Sequence, residues 1–217
     1  MELSSSMLMV DIILNLDHYL NQIINDYGTW TYLILFAVIF CETGLVVTPF
    51  LPGDSLIFML GALAASGEIN LVAIGLVLIT AAITGNVVNY HVGRWIGPRV
   101  FASEEVRFFN RQHLLRTHAF YEKHGGKTIF LARFIPIIRT FAPFVAGIGG
   151  MTYTRFQLYN ISSSATWVLL FLGGGYSFGN IPLVEQNFTL VVFGIIFVSL
   201  LPACYAFLKQ KLASSQI

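Results

Sequence analysis

Five apolar stretches, 30–65, 71–92, 130–150, 156–178 and 188–208, alternate with short polar ones along the chain. Three of them, 71–92, 156–178 and 188–208, hold the roughly 20 apolar residues that a bilayer crossing needs and predict plain transmembrane helices. The other two do not fit that pattern. Stretch 30–65 is too short for two crossings, which take about 40 apolar residues, and too long for one. It also carries Glu42, Pro49, Pro52, Gly53 and Asp54. Stretch 130–150 carries Arg133, Pro136, Arg139, Pro143 and Gly147. Proline inside a helix removes a backbone hydrogen bond, and a charge at membrane depth costs about 2.5–3.5 kcal/mol on insertion scales. Broken, charged backbone is tolerated in a bilayer only where protein buries it or it lines a wet cavity. Each stretch therefore predicts a re-entrant hairpin, with Pro49, Pro52 and Gly53 supporting the first bend and Pro136, Pro143 and Gly147 the second.

Two polar stretches show helical periodicity. Over 10–27, Ile13, Leu16, Leu20, Ile23, Ile24 and Tyr27 share one stripe among acidic and amide residues, which predicts an acidic amphipathic helix. Over 103–124, Ser103 precedes Glu104 and Glu105 in a first turn, and Gly125-Gly126 follows. Arg107, Arg111, Arg116 and Lys123 make that segment basic. It reads either as a surface helix near anionic head groups or as a solvated loop helix.

Composition agrees with a single polytopic membrane domain over 1–217: 56% hydrophobic, 11% charged, mean hydropathy +0.73, against about 25% charged in soluble domains. The net charge of +1 is uninformative, but its distribution is not. All twelve Lys and Arg follow Gly93, and seven of eleven acids precede it. The positive-inside rule then puts loop 94–127 and the C-terminal tail in the cytoplasm. The N-terminus lacks the basic region of a signal peptide, so no cleavage is expected. The expected topology is an all-α fold of two inverted repeats, each a re-entrant hairpin plus a crossing helix (30–65 with 71–92, and 130–150 with 156–178). A further C-terminal transmembrane helix and the amphipathic surface helices complete it. Inverted repeats are the build of many secondary transporters. The short echo Pro49-Phe-Leu-Pro-Gly53 and Pro143-Phe-Val-Ala-Gly147 points the same way.

The candidate chemistry lies in the two hairpins. Half one supplies Glu42 and Asp54, and half two supplies Arg133 and Arg139. Unpaired, four such charges would cost on the order of 10 kcal/mol, so they should pair, face water, or both. Arginines six apart do not share a face of a straight helix, six steps turning roughly 600°, so a break at Pro136 or Pro143 is needed to re-aim them. Arginine forks suit phosphate, and a carboxylate beside an apolar wall can carry a proton. Plainer readings stand beside these: Asp54 as the N-cap of a helix from Ser55, Arg139 tying down carbonyls, Glu42 in a structural salt bridge. Asn86, Tyr90 and Arg94 form a secondary polar strip with Gly85 and Asn89 on the inner half of 71–92. Cys41 and Cys204 read as apolar fillers. The five histidines lack metal or phosphatase spacing. No metal, cofactor, nucleic acid or enzymatic activity is expected.

The residues Phe40-Cys-Glu-Thr-Gly-Leu-Val-Val-Thr-Pro-Phe-Leu-Pro-Gly-Asp54 carry a resemblance, together with Gly85-x-x-x-x-Tyr90-x-x-Gly93-Arg94-x-x-Gly97. Tyr121-Glu-Lys-His-Gly-Gly-Lys127 and Arg133-Phe-Ile-Pro-Ile-Ile-Arg-Thr-Phe-Ala-Pro-Phe-Val-Ala-Gly147 complete it. Over roughly residues 10 to 208 the chain resembles the DedA membrane-protein family, within the wider group that shares the VTT domain. The resemblance implies a multi-pass protein of the bacterial inner membrane with two opposed re-entrant loops. It also implies lipid transport dependent on the proton-motive force, with Glu42 and Asp54 as the essential acids and Arg133 and Arg139 as the essential arginines. One position departs: many members carry Asp where this chain has Asn86.

The expected function is therefore a flippase for a polyprenyl phosphate, undecaprenyl phosphate first. Arg133 and Arg139 would bind the phosphate, and Glu42 and Asp54 would carry protons and gate. A phospholipid scramblase and a proton or cation antiporter for pH homeostasis are the alternatives. The expected partners are membrane lipids, a polyprenyl phosphate and protons, with a homo-oligomer left open.

Overall fold

Helices alone, joined by short turns, make up the secondary structure of the described residues of the computed structural model, which are 28–45, 53–102, 125–179, 181 and 194. In chain order they are α1 (Trp30–Gly44), α2 (Gly53–Ala65), α3 (Leu71–Ala102), α4 (125–132), α5 (Pro136–Ile148) and α6 (Tyr153–Phe178). The segments expected as helices over 10–27, 103–124 and 188–208 lie outside the described residues, as do Pro49 and Pro52. Of the helices searched, one is long and apolar enough by itself to cross a membrane, over Leu71–Gly97. The helix expected to end at Val92 instead runs on through Gly93-Arg94 to Ala102.

The two anomalous stretches are both helix–break–helix. In the first, α1 stops at Gly44 and α2 starts at Gly53. In the second, α4 gives way to a turn over 133–135, and α5 begins with Pro136 in its first turn, where the missing proline N–H costs no helical hydrogen bond. Pro143 and Gly147 were expected at a bend but lie inside α5. Gly147 serves contact instead, since a Cβ there would strike the Tyr90 carbonyl oxygen and crowd the Arg94 nitrogen at 2.8 Å. The five-residue echo therefore does not mark equivalent places. Gly53 opens α2, whereas Gly147 stands one residue from the end of α5. What the halves share is a break flanked by two like charges: Glu42 and Asp54 around the first, Arg133 and Arg139 around the second.

Packing is reciprocal. Helix α2 of the first half lies against α6 of the second, and α5 of the second lies against α3 of the first. Glycines allow both approaches. Gly61 faces the backbone of Leu172, Gly175 and Tyr176, and Gly93 faces the Phe144 carbonyl. Small residues let helix backbones close up where lipid supplies no hydrophobic drive to associate. One buried cluster joins α1, α2, α3 and α6 through Ile39, Ile57, Leu60, Leu78, Trp167 and Leu172. A second gathers Tyr90, Ile129, Ala146, Met151 and Phe156. On the outer faces of α3 and α6, Val72, Leu76, Leu158, Ile161, Leu169 and Leu170 are exposed, more apolar surface than a water-soluble face usually shows.

Two glycines of α6 separate packing from propensity. A Cβ at Gly175 would meet the Phe58 carbonyl oxygen, while at Gly173 it meets nothing within 4 Å. Gly175→Ala should cost about 1–3 kcal/mol by overpacking. Gly173→Ala should be neutral or stabilising by up to about 1 kcal/mol through helix propensity. Thermal unfolding of the two variants in one detergent checks both. Equal midpoints would contradict the close α2–α6 approach.

Candidate functional site: a buried charge cluster between the two helix breaks

The two breaks bring their charges together. Arg139, in the first turn of α5, donates Nη2–H to Glu42 Oε1 and Nη1–H to Asp54 Oδ1. One guanidinium thus holds an acid from the end of α1 and an acid from the start of α2. Asp54 is the second residue of α2 rather than its N-cap, and its carboxylate is used by the other half of the chain. All four charged residues are buried: Glu42 is 1% exposed, Arg133 3%, Arg139 6% and Asp54 8%.

The backbone explains why the acids sit where they do. Anions are stabilised at a helix N-terminus, where the first N–H groups are unpaired. Asp54 lies in the first turn of α2. A Cβ added to Gly53 would run into the Glu42 carboxylate, so Glu42 closes on the same N-terminus, and only glycine leaves room for it. Arg139 has the opposite situation, a cation in the first turn of α5, where the dipole disfavours it. Its two carboxylate partners offset that cost.

Arg133 is held differently. It makes no ion pair with a described residue. Its guanidinium carbon lies 4.6 Å from the centroid of the Trp167 ring, and that of Arg139 lies 5.1 Å from the same ring. The Arg133 nitrogens Nε and Nη2 are buried with no hydrogen-bond partner among the described residues. Burying N–H donors unpaired costs free energy, so two of them on one cation define a position suited to an anion. The Trp167 indole N–H donates to Asp54 Oδ1 at 2.9 Å, the oxygen that Arg139 also uses.

A polar girdle on the long helices fixes the tips. Asn89 spends its amide on two main-chain carbonyls, Thr43 at 3.3 Å and Thr140 at 2.7 Å. These are the residues next to Glu42 and Arg139, so one side chain of α3 ties the ends that carry the ion pair. Asn86 donates to Asn160 Oδ1 at 2.7 Å, and Asn160 in turn donates to the Ile83 carbonyl at 3.2 Å. Of the strip expected on α3, Asn86 and Tyr90 are buried, and Tyr90 donates to the Met151 carbonyl. Arg94 is exposed and reaches the Tyr90 hydroxyl at 3.3 Å. Glu42 Oε2, Ser55 Oγ, Asn86 Oδ1 and Asn89 Oδ1 are buried without a partner among the described residues.

The sequence reading missed Trp167 and Asn160. Each carried a usable signal. Tryptophan in membrane helices favours the two interfaces, yet Trp167 falls in the middle of stretch 156–178. An amide in the same apolar span is expensive unless it has a partner. Neither signal names the partner, which in the case of Trp167 lies 113 residues away.

The pairing makes a stability prediction. Arg139→Met leaves two buried carboxylates without their cation and should cost about 3–5 kcal/mol. Adding Glu42→Gln to that variant removes one of the stranded charges and should recover part of the loss, a non-additivity expected of groups in direct contact. Thermal unfolding of both variants in detergent checks this. Additive losses would contradict the contact.

Comparison with known proteins shows the family to which the chain belongs. The family model for the VTT domain matches residues 51–177. The chain is 50% identical over 210 residues to Protein DedA of Escherichia coli (strain K12), covering 96% of each chain. It is 43% identical over 170 residues to an uncharacterized membrane protein of Mycobacterium leprae (strain TN), covering 78% of this chain and 76% of that one. It is 36% identical over 151 residues to Inner membrane protein YqjA of Escherichia coli (strain K12), covering 70% and 69%. No solved structure matches the chain. The chain with the buried cluster of Glu42, Asp54, Arg133 and Arg139 belongs to the DedA family of membrane proteins, which carry the VTT domain.

Proposed function

We propose that the protein is a flippase that moves a polyprenyl phosphate, undecaprenyl phosphate in particular, across the bacterial inner membrane with the help of the proton-motive force. The observation that carries this reading is Arg133. It is a buried cation with two N–H groups that have no partner among the described residues, beside a second arginine already committed to two carboxylates. A buried guanidinium with vacant donors is a receptor for an oxyanion, and its planar fork suits phosphate better than a point charge would. The start of α5, three residues beyond Arg133, adds the unpaired N–H groups of a helix N-terminus.

In this reading α1–α2 and α4–α5 are re-entrant hairpins that open on opposite faces, while α3 and α6 cross the bilayer. The basic segments and the C-terminus lie in the cytoplasm. The head group enters through one hairpin, meets Arg133 between the two breaks, and leaves through the other. The polyprenyl tail stays in lipid throughout. The lipid is not chemically changed.

Charge balance suggests how protons join. Two acids and two arginines cancel formally. A bound phosphate monoester adds one to two negative charges at neutral pH to a site from which water is largely excluded. Glu42 offers an oxygen with no partner among the described residues, Oε2, for a proton, and protonation there offsets one of those charges and loosens its hold on Arg139. Asp54, bound by both Arg139 and Trp167, is the gate partner that keeps Arg139 in place meanwhile.

A vesicle assay with purified protein and undecaprenyl phosphate tests the reading. Arg133→Ala should reduce the flipping rate at least about a hundredfold, the loss of a charge-assisted bidentate contact being worth about 3 kcal/mol or more. A folded Arg133→Ala variant that flips at the wild-type rate would refute phosphate binding at this residue. Glu42→Gln should abolish the response to an imposed pH gradient. An undiminished response would clear Glu42 of proton transfer, and flux indifferent to the gradient in the wild type would favour a scramblase.

A further inference from the structure

We infer that Trp167 is the positioning residue of the anion site: its ring holds Arg133 in place without using the donors that a phosphate needs. This deepens the proposed function and rests on the reading that Arg133 receives the phosphate.

A guanidinium removed from water must be compensated, and the usual compensation is a carboxylate. Arg139 follows that rule twice over, with Glu42 and Asp54. In doing so it commits Nη1 and Nη2, so its fork is occupied. Arg133 is as deeply buried, at 3% exposure, but makes no ion pair with a carboxylate of the described residues. Glu42 and Asp54 attract it only from beyond ion-pair distance, and the group that touches it is the face of Trp167, 4.6 Å from its guanidinium carbon. An aromatic face attracts a cation through its quadrupole, most strongly for tryptophan and most effectively where water is excluded. That attraction takes no hydrogen bond from the guanidinium, and Nε and Nη2 make none among the described residues. A carboxylate in the same place would occupy them. Holding Arg133 by a ring is therefore what leaves Nε and Nη2 vacant.

The indole is itself fixed. It is fully buried, and its N–H donates to Asp54 Oδ1 at 2.9 Å. That bond sets the orientation of the ring relative to the acid of the first break. Arg133 and Arg139 both lie on the second break and both contact the ring. Trp167 thus touches the acid of one hairpin and both arginines of the other, from the long helix α6. Both cations contact the ring; the one that also pairs with the carboxylates is locked, and the other stays available.

The test uses the full chain in vesicles with undecaprenyl phosphate, and in detergent with farnesyl phosphate as a soluble probe. Trp167→Leu removes face and N–H, and should raise the KM for flipping roughly 10- to 30-fold, the range of a desolvated cation–π contact. The kcat should change less than about twofold, since ground-state binding is what is lost. Trp167→Phe restores a weaker face without the N–H and should bring the KM back to within about fivefold of wild type. A side chain that merely filled space would not give that split or that rescue. As an independent readout, Trp30→Phe/Trp95→Phe leaves Trp167 the sole indole. Its emission should change saturably with farnesyl phosphate, not with farnesol, and not in the Arg133→Ala background.

The outcomes separate. If Arg133→Ala raises the KM but Trp167→Leu leaves it at the wild-type value, the phosphate reading stands and the role of Trp167 is overturned. If Arg133→Ala and Trp167→Leu both flip with wild-type KM, the reading of Arg133 fails and the inference with it. Should Trp167→Leu not fold, Trp167→Phe and the fluorescence titration decide. A sole indole that does not respond to farnesyl phosphate while the wild type flips through Arg133 would overturn the inference.

Discussion

The fold depends on one guanidinium held between two carboxylates away from water. Arg139 bonds Glu42 from the end of α1 and Asp54 from the start of α2. Each partner alone would be prohibitive to bury, and removal of one leaves the others stranded. The interaction therefore fixes where the two helix breaks can sit relative to each other. It joins parts of the chain 85 and 97 residues apart, which no local propensity could do. The main-chain hold of Asn89 on Thr43 and Thr140 serves the same joint through neutral groups.

Around that joint the two long helices act alike. Helix α3 sends Asn89 to both breaks, and α6 sends Trp167 to both breaks. Each also receives a short helix of the other half along a glycine-lined contact. The short helices α2 and α5 are thus braced by the long helix of the opposite half, while α1 packs on α3 of its own half. The proposed transport requires α2 and α5 to move against the long helix of the opposite half while the ion cluster passes between bonded states. A packed interface with two discrete arrangements is the physical requirement for such a change.

Much of this was legible in the chain and some was not, for identifiable reasons. Glu42, Asp54, Arg133 and Arg139 stand out because charge in an apolar run must be explained, and all four are buried, with Arg139 paired to the two acids. Pro136 marks a true break, since proline is at home in a helix's first turn. Pro143 does not, because a membrane helix can continue through proline when neighbouring groups satisfy the freed carbonyl. Sequence spacing alone cannot tell these cases apart. Nor could it distinguish Arg133 from Arg139. Both looked like phosphate ligands, yet the structure commits one to carboxylates and leaves the other with open donors. Trp167 escaped notice because an aromatic side chain in an apolar span resembles any lipid-facing residue until its contacts are known. The glycines at 61, 93 and 175 were equally silent, as close approach is a property of two helices rather than one.

The central claim is that Arg139 is occupied and Arg133 is open. Solid-state NMR on the full chain in lipid, with arginine side-chain nitrogens labelled and farnesyl phosphate bound, reads this directly through 31P–15N couplings. Arg133→Lys and Arg139→Lys variants assign the signals. The account predicts that phosphorus lies within direct hydrogen-bonding range of Arg133 and that the Arg139 nitrogens remain coupled to carboxylate carbons. Phosphorus bound to Arg139, with Arg133 out of range, would contradict it.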